Sequence, residues 1–274
     1  MKLKYEITED ISVKEYLKNA GLSRNLLKKV KGLDNIYVNG ESQKNYYCLK
    51  KGDILELEFK EQVRSDIEEW EKPLDIVYED QYLLIVNKEN NISMQPSRKH
   101  KIDNMISALK YYLKVHNIQG NIHLVNRLDY PTSGLFIVAL NGIIHYQLAK
   151  EHIVKKYICE IEGKMDNKEG TIDKGIARYA APSIIRYVSS EGKQAITKYV
   201  VKTEKENSSL LEMELLTGRC HQIRVHMAYL GHPILGDNIY GTASDGILHL
   251  HAYYLKFVHP VSGEIIEIKN YRTW

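Results

Sequence analysis

The chain has 274 residues, 43% hydrophobic and 27% charged, proportions that exclude wholesale disorder, collagen and a disulfide-stapled miniprotein. A chain of this length can bury one or two full cores. Its apolar runs fall far short of the ~18 residues that span a bilayer, and the mixed-charge N-terminus has no apolar core, so neither membrane attachment nor a secretory signal is expected. The net charge is only +3, but it is unevenly spread: residues 12–51 carry nine Lys/Arg against three Asp/Glu, and residues 52–80 carry eleven Asp/Glu against three Lys/Arg. Basic blocks suit a polyanion such as nucleic acid, although a solvated surface shows the same pattern. Cys48, Cys159 and Cys220 are widely spaced with no Cys-x-x-Cys pair. They indicate neither a disulfide framework nor a zinc site, and a reducing cytoplasm fits them.

In chain order, Val13, Tyr16 and Leu17 recur at helical spacing, with Gly21 closing that helix. A second helix opens at Leu22-Ser23, with Leu26, Leu27 and Val30 on one face and Arg24, Lys28, Lys29 and Lys31 on the other. The strand Ile36-Tyr37-Val38 runs into the hairpin pair Asn39-Gly40, and Ile54 to Phe59 alternates as a strand. Residues 61–72 form an acidic linker, so a module of residues 1–60 with few contacts to the rest is expected, separable by deletion. From residue 73 onward strands are expected at Tyr82–Val86, Leu135–Leu140, Tyr157–Glu162, Ala195–Val201, Leu210–Leu216, His249–Phe257 and Ile265–Ile268. Helices are expected at Met105–Val115, Gly142–Glu151 and His221–Leu230. Strand runs without regular βαβ alternation predict an α+β fold, a small αβ module followed by a mainly antiparallel sheet with flanking helices.

Four segments carry chemistry. Asn126-Arg127-Leu128-Asp129 precedes Tyr-Pro-Thr-Ser-Gly; Asp129 alone reads as a turn former, but it is also a carboxylate held just before a buried strand. Gly218 to His226 places Arg219, His221, Gln222 and Arg224 around a helix N-terminus, an arrangement suited to phosphate or carboxylate. Cys220, His221 and His226 match no standard zinc spacing. Lys155-Lys156-Tyr157 opens a strand, and Gly192-Lys193 with Ala195 and Thr197 reads as a turn and strand.

Together these segments resemble the RluA-type RNA pseudouridine synthases. The resemblance is carried by Arg127-Leu128-Asp129, Thr132-Ser133-Gly134-Leu135, Lys155-Lys156-Tyr157, Gly192-Lys193 with Ala195 and Thr197, and Gly218 to His226. It continues through Gly231-His232-Pro233-Ile234, Gly236-Asp237, Tyr240-Gly241 and Leu250-His251-Ala252, and it covers roughly residues 73–270. Leu22-Ser23-Arg24, Val38-Asn39-Gly40 and Lys51-Gly52-Asp53 resemble the ribosomal-protein-S-four-type RNA-binding domain often fused to these enzymes. The chain departs from the family at Asn126, where His is usual, at Lys88-Glu89-Asn90-Asn91, where Lys-Pro-x-Gly is usual, and at Cys220, where Thr is usual.

The resemblance implies an isomerase that breaks a uridine glycosidic bond, turns the base and rejoins it through carbon, without metal or organic cofactor. Its catalytic set would be Asp129, Tyr157 and Arg224, with Arg224 within ion-pairing distance of Asp129 in a cleft. Attack on base, attack on sugar and abstraction of a ribose proton all remain open for Asp129. Asn126, Arg127, Arg219, His221 and Gln222, with Arg24 and Lys28 on the basic helix, would contact RNA. Ribosomal RNA of the large subunit is the expected substrate, with transfer RNA second and a monomer as the expected state. The competing expectation is a catalytically silent RNA-binding or ribosome-assembly factor on the same fold.

Overall fold

The computed structural model describes residues 2–20, 35–58, 67–180, 183–242 and 246–274. The expected basic helix, with Arg24 and Lys28, lies outside the described residues.

Strand β1 (Lys2–Glu6) alternates in period two, with Leu3 and Tyr5 inside and Lys4 and Glu6 outside. After β2 (Ile11–Ser12), helix α1 (Val13–Asn19) starts at Ser12, whose hydroxyl accepts from the Glu15 amide. Strands β3 (Ile36–Val38) and β4 (Glu41–Ser42) form the hairpin that Asn39-Gly40 announces, both residues at positive φ (52° and 86°). β5 (Cys48–Leu49) pairs with β2, and β6 (Ile54–Glu58) completes a sheet of order β1-β6-β3-β4.

The rest of the chain supplies β7 (Asp75–Glu79), β8 (Leu83–Lys88), α2 (Met105–Val115), β9 (His123–Leu124), β10 (Ser133–Ala139), α3 (Gly142–Lys150), β11 (Val154–Glu162), β12 (Glu169–Asp173), β13 (Ile176–Arg178), β14 (Arg186–Val188), β15 (Ile196–Glu204), β16 (Ser208–Leu215), α4 (Gln222–Tyr229), β17 (Leu250–Val258) and β18 (Ile265–Lys269). One ten-stranded sheet runs β12-β15-β16-β11-β17-β10-β8-β7, with β9 on β10 and β18 on β17. Every pairing in it is antiparallel except β10 with β17. The fold is therefore mixed α and β around a mainly antiparallel sheet. No helix among the described residues is long and apolar enough to cross a membrane.

The central strands are buried on both faces. Along β10, Phe136 and Val138 point into one apolar cluster with Tyr157, Ala252 and Ile223, while Leu135, Ile137 and Ala139 point into a second. That second cluster also contains Leu3, Tyr5, Val13, Leu17, Leu55 and Leu57 of the N-terminal part. Gln147 on α3 adds hydrogen bonds to the Ala20 carbonyl at 2.9 Å and the Tyr5 hydroxyl at 3.4 Å.

The expectation of few contacts across the acidic stretch is thereby corrected. Residues 67–72 lie against α2: the Trp70 amide donates to the Ser107 carbonyl at 3.1 Å, Glu69 pairs with Lys114 at 2.8 Å, and Lys110 donates to the Ile67 carbonyl. Charge composition reported how this segment is solvated on one side and was silent about the side it docks. Removing residues 1–60 is therefore expected to strip one face of the central sheet and cost roughly 3–6 kcal/mol. Denaturant titration of the 61–274 fragment, with a dye for exposed apolar surface, checks this; wild-type stability would restore a separable module.

Candidate active site

The parallel join of β10 and β17 organises the site. Ser133 faces His251 and Gly134 faces Ala252, so the Thr-Ser-Gly-Leu and Leu-His-Ala motifs lie side by side. Gly134 sits at φ +113°, and a Cβ there would fall 2.3 Å from the Ala252 carbonyl oxygen; only glycine allows this approach. The Ser133 hydroxyl and His251 Nδ1 are 2.9 Å apart. Across the same row Ala252 pairs with Tyr157, next to a register shift between Lys156 and Tyr157 that turns β11 locally.

The loop entering β10 carries Asp129. It is closed by the Thr132 amide donating to the Asp129 carbonyl at 3.1 Å. Two side chains, from the last residue of β8 and the segment after it, grip it from behind. Lys88, only 1% exposed, donates to the carbonyls of Tyr130, Ile92 and Glu89 at 3.1, 3.1 and 2.9 Å. Asn90 donates to the Pro131 carbonyl at 2.6 Å. Burial pulls the Lys88 pKa down to about 7, opposed by the charges of Asp129 and Glu89. Three carbonyl acceptors match the three protons of an ammonium, and they favour the charged form further. Asn91 occupies the left-handed region (φ 59°), a conformation asparagine tolerates better than most, so glycine is not required at that turn.

Asp129 itself is 26% exposed. It lines a cleft of about 450 Å³ together with Arg127, Tyr157, Arg219, Cys220 and Arg224. Arg224, 2% exposed, grips the fully buried Asp237 through Nε at 2.7 Å and Nη2 at 2.6 Å. Its remaining nitrogen, Nη1, has no hydrogen-bond partner and lies 3.9 Å from Asp129 Oδ2. Burial alone would raise the Asp237 pKa; the Arg224 hydrogen bonds, its charge and the amides of Ile239 and Tyr240 reverse this and lower it. Burial pushes the Tyr157 phenol well above its ordinary value and the Asp129 charge adds to the effect, so the hydroxyl stays protonated at neutral pH.

Helix α4 is anchored by buried polar groups. Gln222, 2% exposed, accepts from the Thr217 hydroxyl and the Arg219 amide, and donates to the Ile196 carbonyl and the Thr197 hydroxyl. Thr197 also meets His226 Nδ1 at 2.9 Å, and His226 Nε2 meets the Lys174 carbonyl at 3.0 Å. The Gly-Lys-x-Ala-x-Thr and His-Gln-Ile-Arg-x-His motifs are thus two halves of one hydrogen-bonded joint. His221 precedes the helix in the left-handed region (φ 58°), with Nδ1 2.8 Å from the Tyr240 hydroxyl. Burial lowers its pKa and the charges of Arg224 and Arg186 reinforce that against Asp129 and Asp237, so the imidazole is neutral at pH 7.

The structure thus brings Asp129, Tyr157, Arg224, Arg127 and Arg219 to one cleft, with His221 within 4.8 Å of Asp129. Asn126 and Gln222 line the same cleft: Gln222 spends its polar atoms inside the fold, and the Asn126 side-chain oxygen accepts from the Ile137 amide at 2.8 Å. Asp237 had no assigned role from sequence, although it stands in a quoted motif. Arg186, whose amide donates to the Tyr240 hydroxyl at 2.9 Å, carried no signal at all. Ligand atoms of Asp129, Cys220 and His221 lie within 4.8 Å of one another. Arg127, Arg186 and Arg224 act electrostatically on the same space, which suits it to an anion rather than a dication.

The family profile described as RNA pseudouridylate synthase matches residues 82–229. A protein of Bacillus subtilis (strain 168) described as the uncharacterized RNA pseudouridine synthase YjbO is 37% identical over 262 residues, 93% of this chain and 93% of its own length. The ribosomal large subunit pseudouridine synthase D of Haemophilus influenzae is 34% identical over 215 residues, 71% of this chain and 66% of its own. Among solved structures, the human RNA pseudouridylate synthase domain containing 1 superposes with a TM-score of 0.58 at 27% identity, covering 73% of this chain and 84% of that one.

Proposed function

The chain belongs to the RNA pseudouridylate synthase family, isomerases that convert uridine to pseudouridine in RNA, and we propose that it does so with Asp129 as the catalytic carboxylate and large-subunit ribosomal RNA as the substrate. The observation that carries this reading is the side chain of Asp129 in the cleft, facing the unpartnered Nη1 of a buried arginine. Arg224 presents a cationic Nη1 to the carboxylate without hydrogen-bonding it, because Asp237 takes up the guanidinium's Nε and Nη2 from the other side. A silent RNA-binding factor has no use for a desolvated cation aimed at a partly exposed carboxylate.

A target uridine must leave its stack at a cost of a few kcal/mol. The Tyr157 ring in the cleft wall replaces part of that stacking, and its protonated hydroxyl can donate to the base. Arg127 and Arg219 are exposed at the rim and supply phosphate contacts. The ribosomal assignment rests on relatives whose names specify the large ribosomal subunit. The N-terminal part, with exposed Lys50 and Lys51 and the basic residues Arg24 and Lys28, supplies further backbone contacts as an S-four-type module. The cytoplasm is the proposed compartment, where three free cysteines stay reduced.

Purified protein incubated with unmodified ribosomal or transfer RNA, followed by carbodiimide mapping of pseudouridine, tests the assignment. New stops confined to large-subunit RNA support it; stops only in transfer RNA move the substrate, and none in either overturns the reading. Tyr157→Phe is expected to lower turnover about 100-fold while RNA affinity holds, because stacking survives and the hydroxyl does not. Wild-type turnover in that variant would reduce Tyr157 to a platform.

A further inference from the structure

Arg272, in the segment after β18, lies 182 positions from Asn90 in sequence yet donates through Nη1 to Asn90 Oδ1 at 2.5 Å and to the Ser133 hydroxyl at 3.1 Å. Among the described residues no carboxylate lies within ion-pairing distance of it. This half-buried guanidinium therefore spends its hydrogen bonds on neutral groups, and both of those groups bound the loop that carries Asp129. Ser133 ends that loop. Asn90 grips it in the middle, its Nδ2 donating to the Pro131 carbonyl at 2.6 Å and to the Leu248 carbonyl at 3.3 Å.

The orientation of the Asn90 amide follows from the arginine. A guanidinium offers only donors, so the amide must turn its oxygen toward Arg272 and its nitrogen toward the loop. Flipping it would set N–H groups against N–H groups on one side and carbonyl against carbonyl on the other. Two further contacts seat the arginine's segment: His251 Nε2 meets the Asn270 carbonyl at 2.9 Å, and the ring of Trp274 stacks on His249 at 5.1 Å and 6°. The Lys88 grip on Tyr130 is locked within its own segment. The Asn90 grip on Pro131, two residues from the carboxylate, depends on a side chain from the far end of the fold.

We propose that Arg272 is a positioning residue for Asp129, acting through Asn90 and Ser133 to fix the loop that presents the carboxylate. The inference rests on the reading of Asp129 as the catalytic group. It also accounts for asparagine where the family's Lys-Pro-x-Gly pattern leaves the position open: the side chain serves as a two-sided relay between the arginine and the loop.

The test compares Arg272→Ala and Asn90→Asp by single-turnover pseudouridine formation, by RNA affinity and by hydrogen exchange at the Thr132 amide. Asn90→Asp keeps an acceptor for Arg272, and gains charge there, but loses the donor to Pro131. It is therefore expected to remain folded even if Arg272→Ala does not. Both variants should slow the chemical step by about 10–100-fold with RNA affinity unchanged, and the double variant should be no slower than the slower single. Faster exchange at Thr132 should accompany the loss. Wild-type single-turnover rates in a folded Asn90→Asp protein, or a loss confined to RNA affinity, would overturn the proposal. Wild-type turnover in Asp129→Asn would instead remove the catalytic reading of Asp129 on which the inference stands, and the inference with it.

Discussion

Asp129→Asn is expected to fold, to bind RNA as the wild type does, and to form pseudouridine at least about 10³-fold more slowly. The size of the effect follows from what the side chain does in the structure. Its carboxylate serves no cap and closes no turn; the turn bond from Thr132 goes to the Asp129 carbonyl, which the substitution keeps. Arg224 retains its two bonds to Asp237, so no buried charge is stranded. Asparagine has the same shape and lacks the negative charge, with its nucleophilicity and basicity, on which the role proposed for Asp129 depends. Release of tritium from uridine labelled at C5, in a single turnover with saturating enzyme, measures the loss directly. A variant that releases label at the wild-type rate would remove Asp129 from the chemistry.

Much of the fold was legible because local rules agreed with the final packing. The helix expected over Met105–Val115 forms over that span, capped by Asn104 accepting from the Ser107 amide. The Asn39-Gly40 hairpin forms as the dipeptide demands. The motifs were legible as a set of invariants of a known family, but their physical meaning was not. Ser133 meeting His251, Thr197 meeting both Gln222 and His226, and Arg224 meeting Asp237 are pairings across the sheet, between a strand and α4, and between α4 and the segment after it, and no local pattern encodes which partner is met.

The same reasoning explains the failures. Strand β1 carries clean period-two alternation in Lys2-Leu3-Lys4-Tyr5-Glu6, but with only two apolar residues among three charged ones the signal is short and is dominated by its charge. Strands β7 and β12 carry weaker patterns. The β13–β14 hairpin has exposed Tyr179, Ile184 and Ile185, and such a surface element gives periodicity nothing to report. The acidic stretch looked like a spacer because its charges face water, while Trp70 on its other side packs against the main core. Arg224 was placed beside Asp129 correctly in distance, but its principal partner is Asp237. Sequence can nominate a cation for a site; it cannot say which of two carboxylates satisfies its hydrogen bonds.

That second carboxylate leads to the largest loss of stability expected from a single substitution. Asp237→Ala should destabilise the fold by about 3–5 kcal/mol, the cost of leaving one member of a buried ion pair unpaired. Four donors converge on Asp237: Arg224 Nε and Nη2, and the amides of Ile239 and Tyr240. Removing the acceptor strands the guanidinium and frees the turn that carries Tyr240, whose hydroxyl holds His221 and the Arg186 amide. Activity should fall with stability, since Arg224 no longer has a fixed direction toward Asp129. Replacing both partners, as in Arg224→Met/Asp237→Leu, removes the stranded charge and should recover much of the stability but none of the activity. Recovery of turnover in that double variant would deny Arg224 any part in the reaction. The pair also sets an acid limit. Asp237 has a folded pKa below its unfolded value of about 4, so its contribution is fully present above pH 4 and is lost as pH falls through the lower folded value. Denaturant midpoints measured downward from pH 5 should therefore drop more steeply for the wild type than for Arg224→Met/Asp237→Leu, and equal slopes would show that the pair does not couple protons to folding.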